Sequence, residues 1–285
     1  MSHSPTTAFV LGGGGVLGAS EVGMARALVE YGVVPDLILG TSVGALNGAA
    51  LARDPSGATI EALTRMWTDE ATAVWDSSPL DRVRSVARTG TALHSGEGLR
   101  RLLLHTVGDL DIDDLAVPFG CCASSIERAS EHWFESGPLV PAVLASCAVP
   151  GLFPAVRVGD EHFLDGGLVN SIPVSRAVDR GATTIYVMQV GRVERPLLPP
   201  ARPWEVATVA FEIARRHRFA RDLATIPDGV TVHVLPSGDL SPPLTTLRYR
   251  DTSSVRRRID AAYEASAQYL RDLHADPGVV AGEGI

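Results

Sequence analysis

The chain contains no lysine: all 25 basic residues are arginine, set against 33 acids for a net charge of −8. This absence excludes every mechanism that needs a lysine amine, including Schiff-base chemistry, Walker-type phosphate loops and Ser-Lys pairs. The acidic balance argues against a general nucleic-acid binder, so no nucleic acid is expected as a partner. Cysteine is scarce. Cys121, Cys122 and Cys147 are odd in number and form no CxxC spacing, which suits buried thiols in a reducing compartment rather than a disulfide framework. There is no HExxH, EF-hand loop or Cys cluster, so neither a metal nor another cofactor is expected. No apolar stretch reaches the roughly 18 residues of a membrane span, and Met1 to Thr7 lacks the basic start and apolar run of a signal peptide. These features predict a cytoplasmic protein that makes at most a transient peripheral contact with a membrane surface.

What is present describes a globule built from small apolar residues: 45% of the chain is hydrophobic, 6% aromatic and 20% charged over 285 residues. One large domain fits this length better than two small ones. The first fifty residues read as a βαβ unit. Ala8 to Leu11 is an apolar strand, Gly12 to Gly15 breaks it, and Ala19 to Glu30 carries apolar residues at helical spacing until Gly32. Leu37 to Leu39 makes a second buried strand, and Ala45 to Ala52 the next helix. Helical periodicity continues through Glu61 to Trp75, where Leu63, Met66, Trp67 and Val74 read as core. A strand at Val117 to Ala123 and a hairpin around Glu127 to Glu131 follow, then a helix from Pro141 to Ala148 and a turn-rich segment to Gly167. Ser175 to Asp179 reads as a helix and Thr184 to Val190 as a strand. Arg195 to Pro203 holds four prolines and reads as a surface loop, as does the stretch near Pro242. Helices at Trp204 to Leu223 and Ser254 to Leu273 flank a strand at Val230 to Leu235. One α/β domain with helical insertions accounts for this order.

Two glycine-rich motifs carry the chemistry. Gly40-Thr41-Ser42-Val43-Gly44 is a GxSxG between an expected strand and an expected helix. In a nucleophile elbow the serine occupies a strained turn, and the flanking glycines must be small because the turn passes close to neighbouring strands. The helix that follows favours an oxyanion at its N-terminus. The run Gly12 to Gly18 contains a GxGxxG from Gly13 to Gly18, which offers a rival reading as a dinucleotide-binding loop. That reading wants an acid at the end of the second strand. Asp36 precedes that strand instead, and the elbow serine stands where the acid should be. In a hydrolase the same glycines would place backbone N–H groups beside Ser42 as an oxyanion hole.

A nucleophilic serine needs a base. Asp165, in Phe163-Leu164-Asp165-Gly166-Gly167, is delivered by an apolar pair into a glycine turn, and burial could raise its pKa enough to accept the serine proton. A triad remains open by order, because His217, His233 and His274 all follow Ser42 and Asp165. Arg215, Arg216, Arg218 and Arg221 on one helix, and Arg256 to Arg258 on another, could attract anionic headgroups. With Glu212, Asp222 and Asp260 beside them, they read as solvated helix faces.

Together, Gly13 to Gly18, Gly40 to Gly44, Ala145-Ser146-Cys147-Ala148-Val149-Pro150-Gly151-Leu152-Phe153-Pro154 and Asp165-Gly166-Gly167 resemble the patatin-like phospholipase family in order and spacing. The resemblance spans roughly Phe9 to Val190. It implies a three-layer α/β fold, a mostly parallel central sheet flanked by helices, with an acyl-hydrolase core at residues 8–190; the resemblance ends there, and residues 191–285 are expected as a C-terminal helical and strand extension packed on the same domain. It also implies a serine acyl hydrolase of phospholipase A or lysophospholipase type, acting on lipid or lysolipid esters. Carried over by position, Ser42 would be the nucleophile, Asp165 the base, and Gly13, Gly14 and Gly15 the oxyanion donors. Gly18, Gly40, Gly44, Gly166 and Gly167 would be motif glycines, and Ala145 to Pro154 a structural turn near the site. The family's loop usually carries Arg or Lys where this chain has Leu17. That departure motivates a second reading, a patatin-fold regulatory or adaptor protein with little or no turnover.

Overall fold

The structure, a computed structural model, describes residues 6–70, 85, 87, 90–190, 196–238 and 252–275. Among the described residues eight strands form one sheet, and five of them are joined by parallel pairings. Strand β1 (Thr7–Leu11) lies at the centre, between β2 (Leu37–Thr41) and β7 (Thr184–Met188), and all three run parallel. Beyond β2 comes β3 (Phe119–Ser125), and beyond β7 comes β8 (Thr231–Val234), both parallel to their neighbours. At the β3 end the sheet turns antiparallel, with β4 (Ser130–Phe134), β5 (Val156–Val158) and β6 (Glu161–Asp165). The stretch expected as turns up to Gly167 therefore contains two short strands. They are too short and too polar on one face to show a period-two signal.

Side chains alternate across the sheet and feed two cores. Phe9, Leu11 and Ile38 point into the larger one, which they share with helices α1 (Ala19–Glu30), α2 (Val43–Arg53), α3 (Gly57–Arg65), α4 (Glu97–Val107) and α5 (Leu139–Ser146). Ala8, Val10 and Leu39 point the other way, toward α6 (Val174–Asp179) and α7 (Pro203–Ala224), which contributes Phe219. The last helix, α8 (Thr252–Ala275), packs its Ile259 and Ala262 on the larger core beside α1. This is a three-layer arrangement, with the central strands buried on both faces as parallel strands require. Residues from 196 onward add β8 to the sheet edge and α7 and α8 to its two faces.

Local sequence explains where the elements stop. Gly32, at φ +71°, ends α1: its N–H bonds Val29 O and the N–H of Val33 bonds Leu28 O, both at 3.0 Å. That pair of bonds is the Schellman closure, which a left-handed glycine permits at no steric cost. Trp67 is buried as expected, with its indole N–H donating to Asn47 Oδ1 at 3.0 Å. The expected continuation of helix to Trp75, including Val74, and the positions Arg195 and Pro242 lie outside the described residues. All three cysteines are buried free thiols, whose pKa values burial pushes up.

Candidate active site

Strand register brings Ser42 and Asp165 together. Strand β3 pairs β4 through residues 121–125 on one edge, so β2 and β6 must share its other edge. On that edge β2 runs parallel and ends with Thr41 opposite Cys122, while β6 runs antiparallel and ends with Asp165 opposite Ala123. The two strands thus meet end to end against consecutive residues of β3. The residue that follows Thr41 is Ser42, and its Oγ donates to Asp165 Oδ2 at 2.5 Å.

Ser42 has φ 56° and ψ −124°, a positive φ that costs a non-glycine residue energy and persists only where the surroundings enforce it. Three features enforce it. Its N–H donates to Ser146 Oγ at 2.9 Å, and that hydroxyl donates onward to Cys122 O at 2.6 Å. Thr41 Oγ1 donates to Asn170 O at 2.8 Å. The chain on either side is compressed: a Cβ on Gly40 would stand 2.4 Å from Gly44 O, and one on Gly44 would stand 2.3 Å from Leu11 O. The elbow glycines are thus required by contact between α2 and the ends of β1 and β2.

Asp165 is fixed as firmly. Its N–H donates to Ala148 O at 2.9 Å, its carbonyl accepts from Ser124 Oγ at 2.8 Å, and its Oδ1 accepts from Gly167 N at 2.7 Å. Gly166 admits no side chain, since a Cβ would lie 2.1 Å from Cys122 O. Burial raises the Asp165 carboxyl from 3.8 to about 6, and the hydrogen bonds from Ser42 and Gly167 oppose that rise only in part.

The glycine loop leaves β1 beside the elbow because Leu11 is paired with Gly40. Here one expectation is corrected. The N–H of Gly13 donates to Ser171 O at 2.8 Å, so it is already spent within the fold and is not a free oxyanion donor. Gly14 and Gly15 differ: among the described residues their N–H groups have no acceptor, and neither does that of Val43. Gly14 carries Val190 against it, with a Cβ position only 1.7 Å from Val190 Cγ2, and Gly15 sits at φ +57°. Gly18 lies under Val43 Cγ2, which leaves it no room for a Cβ.

Sequence reasoning missed several residues that set this geometry. Ser146 lies where the expected helix, Pro141 to Ala148, runs into the segment implied as a turn; it is the last residue of α5, and its unforeseen role is to anchor the elbow. Asn47 on α2 donates to Gly18 O of the glycine loop at 3.0 Å and to Glu21 Oε2 of α1 at 2.8 Å, and burial holds the Glu21 carboxyl well above its usual range. Asn47 follows the GxSxG by three residues, a spacing that places it on the same helix face, which was the available signal. Arg221, Arg256 and Arg257 are exposed, as a solvated face requires, but the inner arginines of α7 are not. Arg215 is 3% exposed, paired with Glu212 at 3.0 Å and bonded to Val190 O, and Arg218 bonds Asp222 and Val169 O. Of the candidate histidines, His233 stacks on Tyr186 and bonds Tyr269, His274 bonds Leu270 O, and His217 is exposed.

Comparison with known proteins agrees with this architecture. The family model for "Patatin-like phospholipase" matches residues 9–178. Patatin-like phospholipase domain-containing protein 6 of Mus musculus is 33% identical over 188 residues, covering 65% of this chain and 14% of that protein. Lysophospholipase nte1 of Aspergillus terreus is 31% identical over 185 residues, covering 65% of this chain and 12% of that protein. The chain therefore spans about one-seventh or less of the length of these curated relatives. Among solved structures, VipD from Legionella pneumophila superposes with a TM-score of 0.52 at 15% identity, over 95% of this chain and 67% of that one, a likeness of fold. No helix among the described residues is long and apolar enough to cross a membrane. The chain belongs to the patatin-like phospholipase family.

Proposed function

We propose that this chain is a serine acyl hydrolase that cleaves fatty-acyl esters of phospholipids or lysophospholipids through Ser42 and Asp165. The observation that carries the reading is the 2.5 Å contact between Ser42 Oγ and Asp165 Oδ2, made inside a strained strand-turn-helix junction. Ser42 Oγ attacks the ester carbonyl carbon as its proton passes to Asp165. The negative charge that develops on the carbonyl oxygen is met by the unspent N–H groups of Gly14 and Gly15, fixed before the reaction starts. Collapse of the tetrahedral intermediate breaks the ester bond, and Asp165 returns the proton to the departing alcohol. A water molecule then attacks the acyl-enzyme, giving its proton to Asp165 and releasing the fatty acid with Ser42 restored. A carboxyl titrating at about 6 suits both halves of this cycle, being ionised at neutral pH yet basic enough to take a proton.

Names among the relatives support the substrate class: phospholipase and lysophospholipase both denote hydrolysis of phospholipids or lysophospholipids, and a serine nucleophile suits the acyl ester of such a lipid. The test is active-site labelling joined to a lipid panel. A fluorophosphonate should form an adduct at Ser42, and mass spectrometry of lipid products should show free fatty acid, in EDTA as well as without it. A folded protein that takes no adduct at Ser42 would exclude the hydrolase. The adaptor reading that Leu17 motivates would then stand.

A further inference from the structure

Helix α7 lies beyond the family match at residues 9–178, and its inner face rests on the site from outside that segment. Two guanidinium groups set its position: Arg215 donates to Val190 O at 3.1 Å and Arg218 to Val169 O at 3.1 Å. Between these anchors and the helix start, Phe211 falls on the loop that follows Asp165. The point where a Cβ of Gly167 would stand is 2.7 Å from Phe211 Cζ and 2.9 Å from Asp165 Oδ1. The edge of the phenyl ring and the carboxylate therefore share one small space, with Gly167 leaving room for both.

We propose that Phe211 is a positioning residue for the reaction: its ring covers Asp165 from α7, keeps water off the carboxylate, and so makes it a base rather than a solvated anion. The inference rests on the Ser42–Asp165 reading given above. A carboxyl packed against an aromatic wall loses hydration of its charged form, and its proton affinity rises. Burial is the largest influence on Asp165, and the two hydrogen bonds that reach its carboxylate both act in the opposite direction. The other groups that face it do not substitute for this cover. Cys122 on β3 and Cys147 after α5 are buried thiols kept neutral, and Ser42 and Gly167 are the hydrogen-bond donors. The charged groups on that side, Glu131 of β4 and Arg218 of α7, pair with each other at 3.3 Å.

The experiment is the pH dependence of kcat/KM on a soluble p-nitrophenyl ester, which reports ionisation in the free enzyme without an interface. The full-length wild-type chain should show activity rising through an acid limb near 6. Phe211→Ala should move that limb down by about one unit and lower the plateau several-fold, and Phe211→Leu, which keeps an apolar cover, should leave the limb within about 0.3 unit of wild type. Where Phe211→Ala does not fold, Phe211→Val carries the same arm with a smaller shift. A lower plateau with an unmoved limb would show that the ring only packs, and would overturn the proposal while leaving the Ser42–Asp165 reading intact. Failure of that reading looks different: no fluorophosphonate adduct at Ser42 and no acid limb in the wild type, which would overturn both.

Discussion

Ser146 Oγ accepts a hydrogen bond from the backbone N–H of Ser42 at 2.9 Å and donates its own O–H to Cys122 O at 2.6 Å, so one buried hydroxyl links the elbow to β3. The N–H of a residue at positive φ points out of the regular ladder, and without Ser146 it would be buried with no acceptor. Ser146→Ala should therefore destabilise the fold by about 1–3 kcal/mol, the usual penalty for an orphaned buried group. It should also lower kcat about tenfold with KM little changed, since the loss falls on the placement of Ser42 Oγ. Chemical denaturation and steady-state kinetics on a soluble ester check the two parts. Unchanged kcat in a destabilised protein would separate the anchor from catalysis.

Asp165 makes stability depend on pH in a direction opposite to a salt-bridged carboxylate. Its folded pKa of about 6 lies above its ordinary value of 3.8, so between those values the native state holds a proton that the unfolded chain has lost. Stability from this group is full below 3.8 and is lost as pH rises through about 6. At pH 8 the cost of the buried charge is on the order of 2–3 kcal/mol. Asp165→Asn keeps the shape, removes the charge, and should melt at higher temperature than wild type at pH 8. The gap should close toward pH 4. Equal melting temperatures at both pH values would contradict the raised pKa.

The glycines of the site divide into those that forbid a side chain and those that tolerate one. A Cβ on Gly44 meets the backbone of Leu11 and Gly12 at 2.3 and 2.8 Å, and neither can move without shifting β1. Gly44→Ala should fail to fold or lose several kcal/mol, in the range of severe overpacking. A Cβ on Gly15 meets nothing within 4 Å, and the strain there comes only from its φ of +57°. Gly15→Ala should cost about 1 kcal/mol and leave the fold intact. Circular dichroism and denaturant midpoints distinguish them.

Much of this was legible in the chain because glycine and serine report local geometry. The GxSxG motif fixed an elbow in place, and Gly32 marked the end of α1 through the one conformation only glycine takes freely. The residues that escaped notice act across the sheet. Ser146, Asn170 and Ser171 are ordinary polar residues until register places them at Ser42, Thr41 and Gly13. The arginines of α7 escaped for the same reason. Acids at i+3 and i+4 spacing suit a solvated face equally well, and only the fold turns Arg215 and Arg218 toward the carbonyls of Val190 and Val169. Gly13 was misread because a free N–H and a spent one have the same sequence.

The choice between Asp165 and a histidine as the base rests on what touches the carboxylate. Sequence order permits Ser42, Asp165 and then His217, His233 or His274. In the structure the side chain of Asp165 accepts from Ser42 Oγ and Gly167 N, and no histidine among the described residues bonds to either Ser42 or Asp165. His233 is turned away into a stack with Tyr186, and desolvation keeps its ring below the usual imidazole pKa. A histidine base would also need room between Ser42 Oγ and the acid, and at 2.5 Å there is none. Asp165→Asn should then reduce kcat by at least about a hundredfold, the lower range for losing a general base. His217→Ala, His233→Ala and His274→Ala, each made singly, should leave kcat within about threefold, because packing and surface histidines carry no chemistry. A fall of several orders of magnitude at one of these histidines, with the circular dichroism of a folded protein, would make that residue the base and leave Asp165 only to orient it.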